Sequence, residues 1–198
     1  MTPFDLYQSF TLTTALYKGS GQGSSEAVVY VAFGLGGEGG ELAEKIALVA
    51  PSTLHQHDDI LGELGDVFYY FARTCAEVGL VFSEILGNFD DTAEEKPETG
   101  DTRPYTLKVY LFTLYYMGKM GRILERIKKK LRERGGFVGL DELKTSEVFK
   151  LDLVSAAVEL RRLTHLLGFR IIDVLAANEK KLQSRKDRGK LHGEGDRR

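Results

Sequence analysis

"GLGGEGGELAEKIALVAPSTLHQHDDILGELGDVFYY", residues 34–70, decides how this chain is read. Two helical runs flank a loop that holds Pro51. Each run carries a pair of acidic residues three apart, Glu38 with Glu41 and Glu63 with Asp66. Residues three or four apart share a helix face. Glu38 lies in line with Leu35 and Leu42, and Glu63 with Ile60, Val67 and Tyr70. Four carboxylates therefore project from the apolar side of a helix pair. An unpaired buried charge is costly, so something positive is expected between them. Gly36, Gly37, Gly39 and Gly40 surround Glu38. Glycine costs about 1 kcal/mol against alanine in a helix interior, so their presence points to close approach of another helix or a ligand. They do not form a phosphate loop: no GxxxxGK[ST] occurs, and they follow no strand.

Outward from this core the signal stays helical. Residues 3–17 open with Pro3 and read as a helix. "KGSGQGSS" (18–25) reads as a flexible turn in which Ser24 or Ser25 caps the next helix, 26–49. Asp58 or Asp59 is expected to cap the helix that Gly79 closes. A short helix spans 81–89. An acidic linker with Pro97, Gly100 and Pro104 follows, then a long helix from Tyr105 that Gly135 and Gly136 break. Two further helices cover 146–168 and 169–189. No stretch alternates like a strand. The expected fold is an all-α helical bundle.

Charged residues make up 28% and hydrophobic ones 42% of 198 residues, which suits a soluble globular protein. A single cysteine, Cys75, excludes an intrachain disulfide and fits a reducing compartment. It sits among apolar residues and is expected in the core. No run of about 18 apolar residues suggests a membrane span, and the first residues lack a signal peptide's pattern. The expected location is cytoplasmic, with no membrane partner. Residues 1–101 hold 17 Asp/Glu against 4 Lys/Arg, and residues 102–198 hold 12 against 23. That asymmetry fits one half gathering metal and the other phosphate. The acidic half argues against a nucleic-acid partner.

Hard Mg²⁺ prefers oxygen ligands and commonly bridges protein carboxylates to substrate phosphates. Two acidic pairs on two helices suit one or two such ions, with Mn²⁺ as a substitute. The plain alternative is a solvated acidic face. His55 and His57 read as solvated loop residues, His165 as a helix-surface or partly buried one, and "RIKKKLRER" (126–134) as a solvated basic face.

"GLGGEGGELAEKI", followed after 16 residues by "ELGDVFYYFA", resembles the MazG-like family of all-α nucleoside triphosphate pyrophosphohydrolases. "YQSFTLTTALY" near the start and "NEKKLQSRKDRGKLHGEGDRR" at the end are similar to the family's terminal segments. The resemblance covers residues 4–88 and 168–198. It implies Mg²⁺-dependent cleavage of a nucleoside triphosphate to monophosphate and pyrophosphate. Glu38, Glu41, Glu63 and Asp66 would be metal ligands, one glutamate orienting the water. Asn178, Lys181 and Arg185 would contact substrate, and Tyr70 would face the same cleft. Two alternatives stay open: a dUTPase- or dCTPase-like relative, and a non-catalytic nucleotide-binding helical module. A homo-oligomer is also compatible.

About 80 residues separate the two matching parts, more than in short family members. Residues 117–127 align with 36–46 at an offset of 81, and 165–175 with 76–86 at an offset of 89. An internal duplication would give a single-chain pseudo-dimer: a metal-binding half (1–90), a linker (91–103), a degenerate repeat (104–190) and a tail (191–198). The alternative is a helical insertion. In the repeat Lys119 replaces Glu38, Arg122 replaces Glu41, Asp152 replaces Glu63 and Ser155 replaces Asp66. Lys119 and Arg122 are then expected to contact phosphates.

Overall fold

A computed structural model describes residues 1–87, 103–132 and 141–191. Most of the expected linker (91–103), the break at Gly135 and Gly136, and residues 192–198 of the tail lie outside these. The described residues form helices and no strand: α1 (Pro3–Leu12), α2 (Ser25–Leu48), α3 (Asp58–Glu77), α4 (Phe82–Leu86), α5 (Tyr105–Arg132), α6 (Asp141–Thr145), α7 (Glu147–Leu166) and α8 (Ile171–Asp187), with a 3-10 turn at Pro51–Thr53. The protein is an all-α helical bundle.

Local chemistry sets the ends. Thr2 and Asp5 form a capping box ahead of Pro3. α1 stops at Leu12, five residues short of the expectation. The Thr11 and Thr14 hydroxyls bond to carbonyls three residues back, at Gln8 and Thr11, and such bonds compete with helix continuation. The Ser24 hydroxyl accepts from the Ala27 N–H and starts α2. His57, rather than Asp58 or Asp59, caps α3, its Nδ1 accepting from the Asp59 N–H. Short α6 is not among the helices expected from the sequence.

α2 packs on α3, α5 packs on α7, and α2 meets α5. Gly36 and Gly39 permit that last contact: a Cβ on Gly39 would fall 2.6 Å from the Met120 sulfur, and one on Gly36 3.1 Å from a Leu124 methyl. The core is continuous across all these helices, with Leu35, Phe68, Tyr116, Phe149 and Leu160 fully buried in it.

The two halves correspond in detail. α3 and α7 are both 20 residues long and begin and end 89 positions apart. Each finishes on a positive-φ glycine, Gly79 (71°) and Gly168 (87°). In each the next residue closes the helix, Leu80 N–H to Cys75 C=O at 2.8 Å and Phe169 N–H to Thr164 C=O at 3.1 Å. α4 and α8 then start 89 positions apart. α3 packs against α8 while α7 packs against α4. A two-fold relation between the halves would give such an exchange. The halves differ at the end: α4 has 5 residues and α8 has 17.

Candidate functional site

α2 presents Glu38 and Glu41 on one side and α3 presents Glu63 toward them. One carboxylate oxygen from each lies within 4.8 Å of the other two. Glu63 is buried, Glu38 half-buried and Glu41 exposed. Lys45 Nζ is 3.9 Å from a Glu63 oxygen. Burial, then the charges of Asp66, Glu41 and Glu63, push the Glu38 carboxyl up to about 8, with Lys181 opposing the rise. The group is thus short of positive charge. Three hard oxygen donors converging from two helices could hold a metal ion.

Asp66 is not one of these three converging carboxylates, although its charge acts on Glu38, and both its oxygens are engaged by α8. Asn178 Nδ2 donates to Asp66 Oδ1 at 2.9 Å, and Lys181 Nζ donates to Oδ2 at 2.5 Å. Asn178 is itself fixed, since the Tyr7 hydroxyl from α1 donates to its Oδ1 at 2.8 Å. Gly65 lets α8 come this close: a Cβ there would meet Asn178 Cβ at 2.9 Å. Of the residues expected to touch substrate, Asn178 and Lys181 therefore hold Asp66.

A cleft of about 410 Å³ opens beside Glu38 and Asp66. Tyr70 and Arg185 line it, as do Thr14, Tyr17, Tyr30 and Tyr69. Gly34 makes room for the Tyr70 ring, which a Cβ would meet at 2.1 Å. Tyr17 stacks on Tyr30 with ring centres 4.5 Å apart. Lys119 is half-buried and Arg122 exposed. Neither belongs to the cleft wall, because α5 turns Met117, Met120 and Leu124 toward the α2 glycines instead.

Sequence reasoning missed the support behind Tyr17. Arg73 and Glu77 form an ion pair within α3, both side chains almost fully buried. Tyr17 donates to Glu77 Oε1 at 2.6 Å and accepts from Arg73 Nε at 2.8 Å. The N–H groups of Gly21 and Gly23 donate to the two Glu77 oxygens at 2.8 and 3.1 Å. Gly19, Gly21 and Gly23 all have positive φ. The segment expected to be a flexible turn is a loop tied to a buried carboxylate. The available signal was an Arg and a Glu four apart inside "FYYFARTCAEVG", a run otherwise built for burial. Cys75 is fully buried in the core, as expected.

No helix of the described residues is long and apolar enough to cross a membrane. No family model matches the chain, and no solved structure matches it. The chain is 36% identical over 87 residues to the "Gene 37 protein" of Mycobacterium phage L5, a match that spans 41% of this chain and 76% of that protein. By that extent of shared sequence, the chain belongs to the family of the Gene 37 protein of Mycobacterium phage L5.

Proposed function

We propose that this protein is a Mg²⁺-dependent nucleoside triphosphate pyrophosphohydrolase that releases a monophosphate and pyrophosphate. The observation that carries the reading is the convergence of Glu38, Glu41 and Glu63 beside a cleft walled by tyrosines and Arg185. The resemblance of the surrounding motifs to the MazG-like family supplies the reaction. Glu38, Glu41 and Glu63 would hold the ion, with Mn²⁺ as a substitute, and Asp66 would join them. A bound ion would neutralise phosphate charge and acidify a water. Arg185 and Lys181 add positive charge for the phosphate chain, and the tyrosine wall offers flat apolar faces to a base.

The direct assay measures pyrophosphate released from a panel of ribo- and deoxynucleoside triphosphates, with and without Mg²⁺. Metal-dependent release from at least one nucleotide is the expected result. Binding without release would instead favour a nucleotide-binding helical module.

We also infer that residues 104–190 are a degenerate second copy, so that one chain supplies both halves of a pseudo-dimer and carries one acidic site. Support comes from the equal lengths and caps of α3 and α7 and from the exchange of α4 and α8 between halves. Superposing 26–88 on 107–178 should bring Glu38 onto Lys119 by a rotation of about 180°. Failure of the halves to superpose would leave the insertion reading.

A further inference from the structure

We propose that Lys181 is an internal counter-cation for Asp66, competing with the metal ion and handed over to substrate phosphate when the site is loaded. The proposal rests on the metal-and-phosphate reading of this site and deepens it.

Three observations carry it. First, Asp66 belongs to the acidic motif yet lies outside the group formed by Glu38, Glu41 and Glu63. Second, both of its oxygens are engaged by α8, Oδ2 by the Lys181 ammonium at 2.5 Å and Oδ1 by Asn178 at 2.9 Å. Third, the ion pair is mostly out of solvent, with side-chain exposures of 23% for Lys181 and 17% for Asp66. It is not a loose surface contact.

The two donors differ in what a metal ion does to them. A carboxylate offers about four lone-pair sites, so the neutral Asn178 amide, anchored by Tyr7, can keep its bond beside an ion. An ammonium cannot share that space with a divalent cation, because like charges this close in a half-buried site repel strongly. Lys181 must leave Asp66 as the ion takes it. The phosphate chain is the anion that the loaded cleft would offer the displaced ammonium. Metal and phosphate binding are then coupled through one side chain. The same ion pair ties α8 to α3 beside the cleft.

Two measurements on the full chain test this. Mn²⁺ binding is followed by electron paramagnetic resonance for the natural protein and for Lys181→Met, which keeps the stem and removes the charge. The variant should bind Mn²⁺ more tightly by roughly tenfold, within the usual range of coupling between sites. In the natural protein, acetylation of the Lys181 amine is followed by mass spectrometry. Mg²⁺ alone should speed its labelling several-fold, while solvated Lys128 labels at an unchanged rate. This second measurement stands even if Lys181→Met folds poorly. Equal Mn²⁺ affinity in the two proteins, or Lys181 labelling indifferent to Mg²⁺, overturns the proposal and leaves the metal reading intact. No Mn²⁺ bound by either protein overturns both.

Discussion

Arg126 pairs with Asp152 between α5 and α7 at the place where Lys45 reaches Glu63 between α2 and α3. The offsets of 81 and 89 carry Lys45 onto Arg126 and Glu63 onto Asp152. In the second half Asp152 meets Arg126 directly, and by the same offset Lys119 and Arg122 align in sequence with Glu38 and Glu41. In the first half Lys45 stands 3.9 Å from Glu63, which converges with Glu38 and Glu41. Three converging carboxylates could hold an external cation there.

Glu63→Gln should therefore leave the fold intact and lower both Mn²⁺ affinity and pyrophosphate release by more than about 100-fold. Asp152→Asn should leave Mn²⁺ affinity unchanged and cost about 1 kcal/mol in urea unfolding, as a partly exposed ion pair does. Equal metal binding by natural and Glu63→Gln proteins would remove Glu63 from the site.

The Glu38 carboxyl gives a pH signature. Its native value of about 8 lies above the ordinary 4.5, so between those pH values the native state holds a proton that the unfolded state has lost. Stability of the metal-free protein then falls as pH rises from about 4.5 to 8. Glu38→Gln should flatten that fall, and Mg²⁺ should oppose it in the natural protein only. Thermal melts from pH 5 to 8.5 read this directly, with about 2–4 °C for each kcal/mol.

The Arg73–Glu77 pair predicts the opposite slope. Burial alone would raise the Glu77 carboxyl, but the N–H groups of Gly21 and Gly23, the Tyr17 hydroxyl and the Arg73 charge hold it below its usual value. A lowered native value gives stability that is present above the ordinary 4.5 and lost as pH falls through the native value. Glu77→Gln strands a buried guanidinium and should cost about 3–5 kcal/mol. It should also release the loop through Gly21 and Gly23, seen as faster amide exchange there. Unchanged exchange would mean that the loop is held by something else.

Two glycine substitutions separate packing from propensity. Gly65→Ala puts a methyl 2.9 Å from Asn178 Cβ, so α8 must shift at a cost of about 1–3 kcal/mol. Gly37→Ala meets nothing within 4 Å and should gain about 1 kcal/mol from helix propensity. Denaturant midpoints of the two variants should move in opposite directions.

The helices were legible because apolar spacing and glycine caps are local signals. α3, its closing Gly79 and the Ser24 cap follow from such patterns, whereas α1 ended early because threonine side chains compete for its carbonyls. The acidic spacing located Glu38, Glu41 and Glu63. It could not show that Asp66 belongs to α8, since that contact joins residues 112 and 115 positions apart. Tyr17 and Tyr30 carry no such signal for a related reason: a tyrosine in an apolar run looks like packing until the neighbour across the cleft is known. The Arg73–Glu77 pair was within reach, as two opposite charges one turn apart in an apolar run.

The contact of α2 with α5 inside a single polypeptide has a genetic consequence. Where two identical chains form such a pair, every substitution arrives twice, and an acid gained on one helix is gained on both. Here α2 and α5 are separate codons. One can gather carboxylates while the other gathers lysine and arginine, and neither change is copied onto the other.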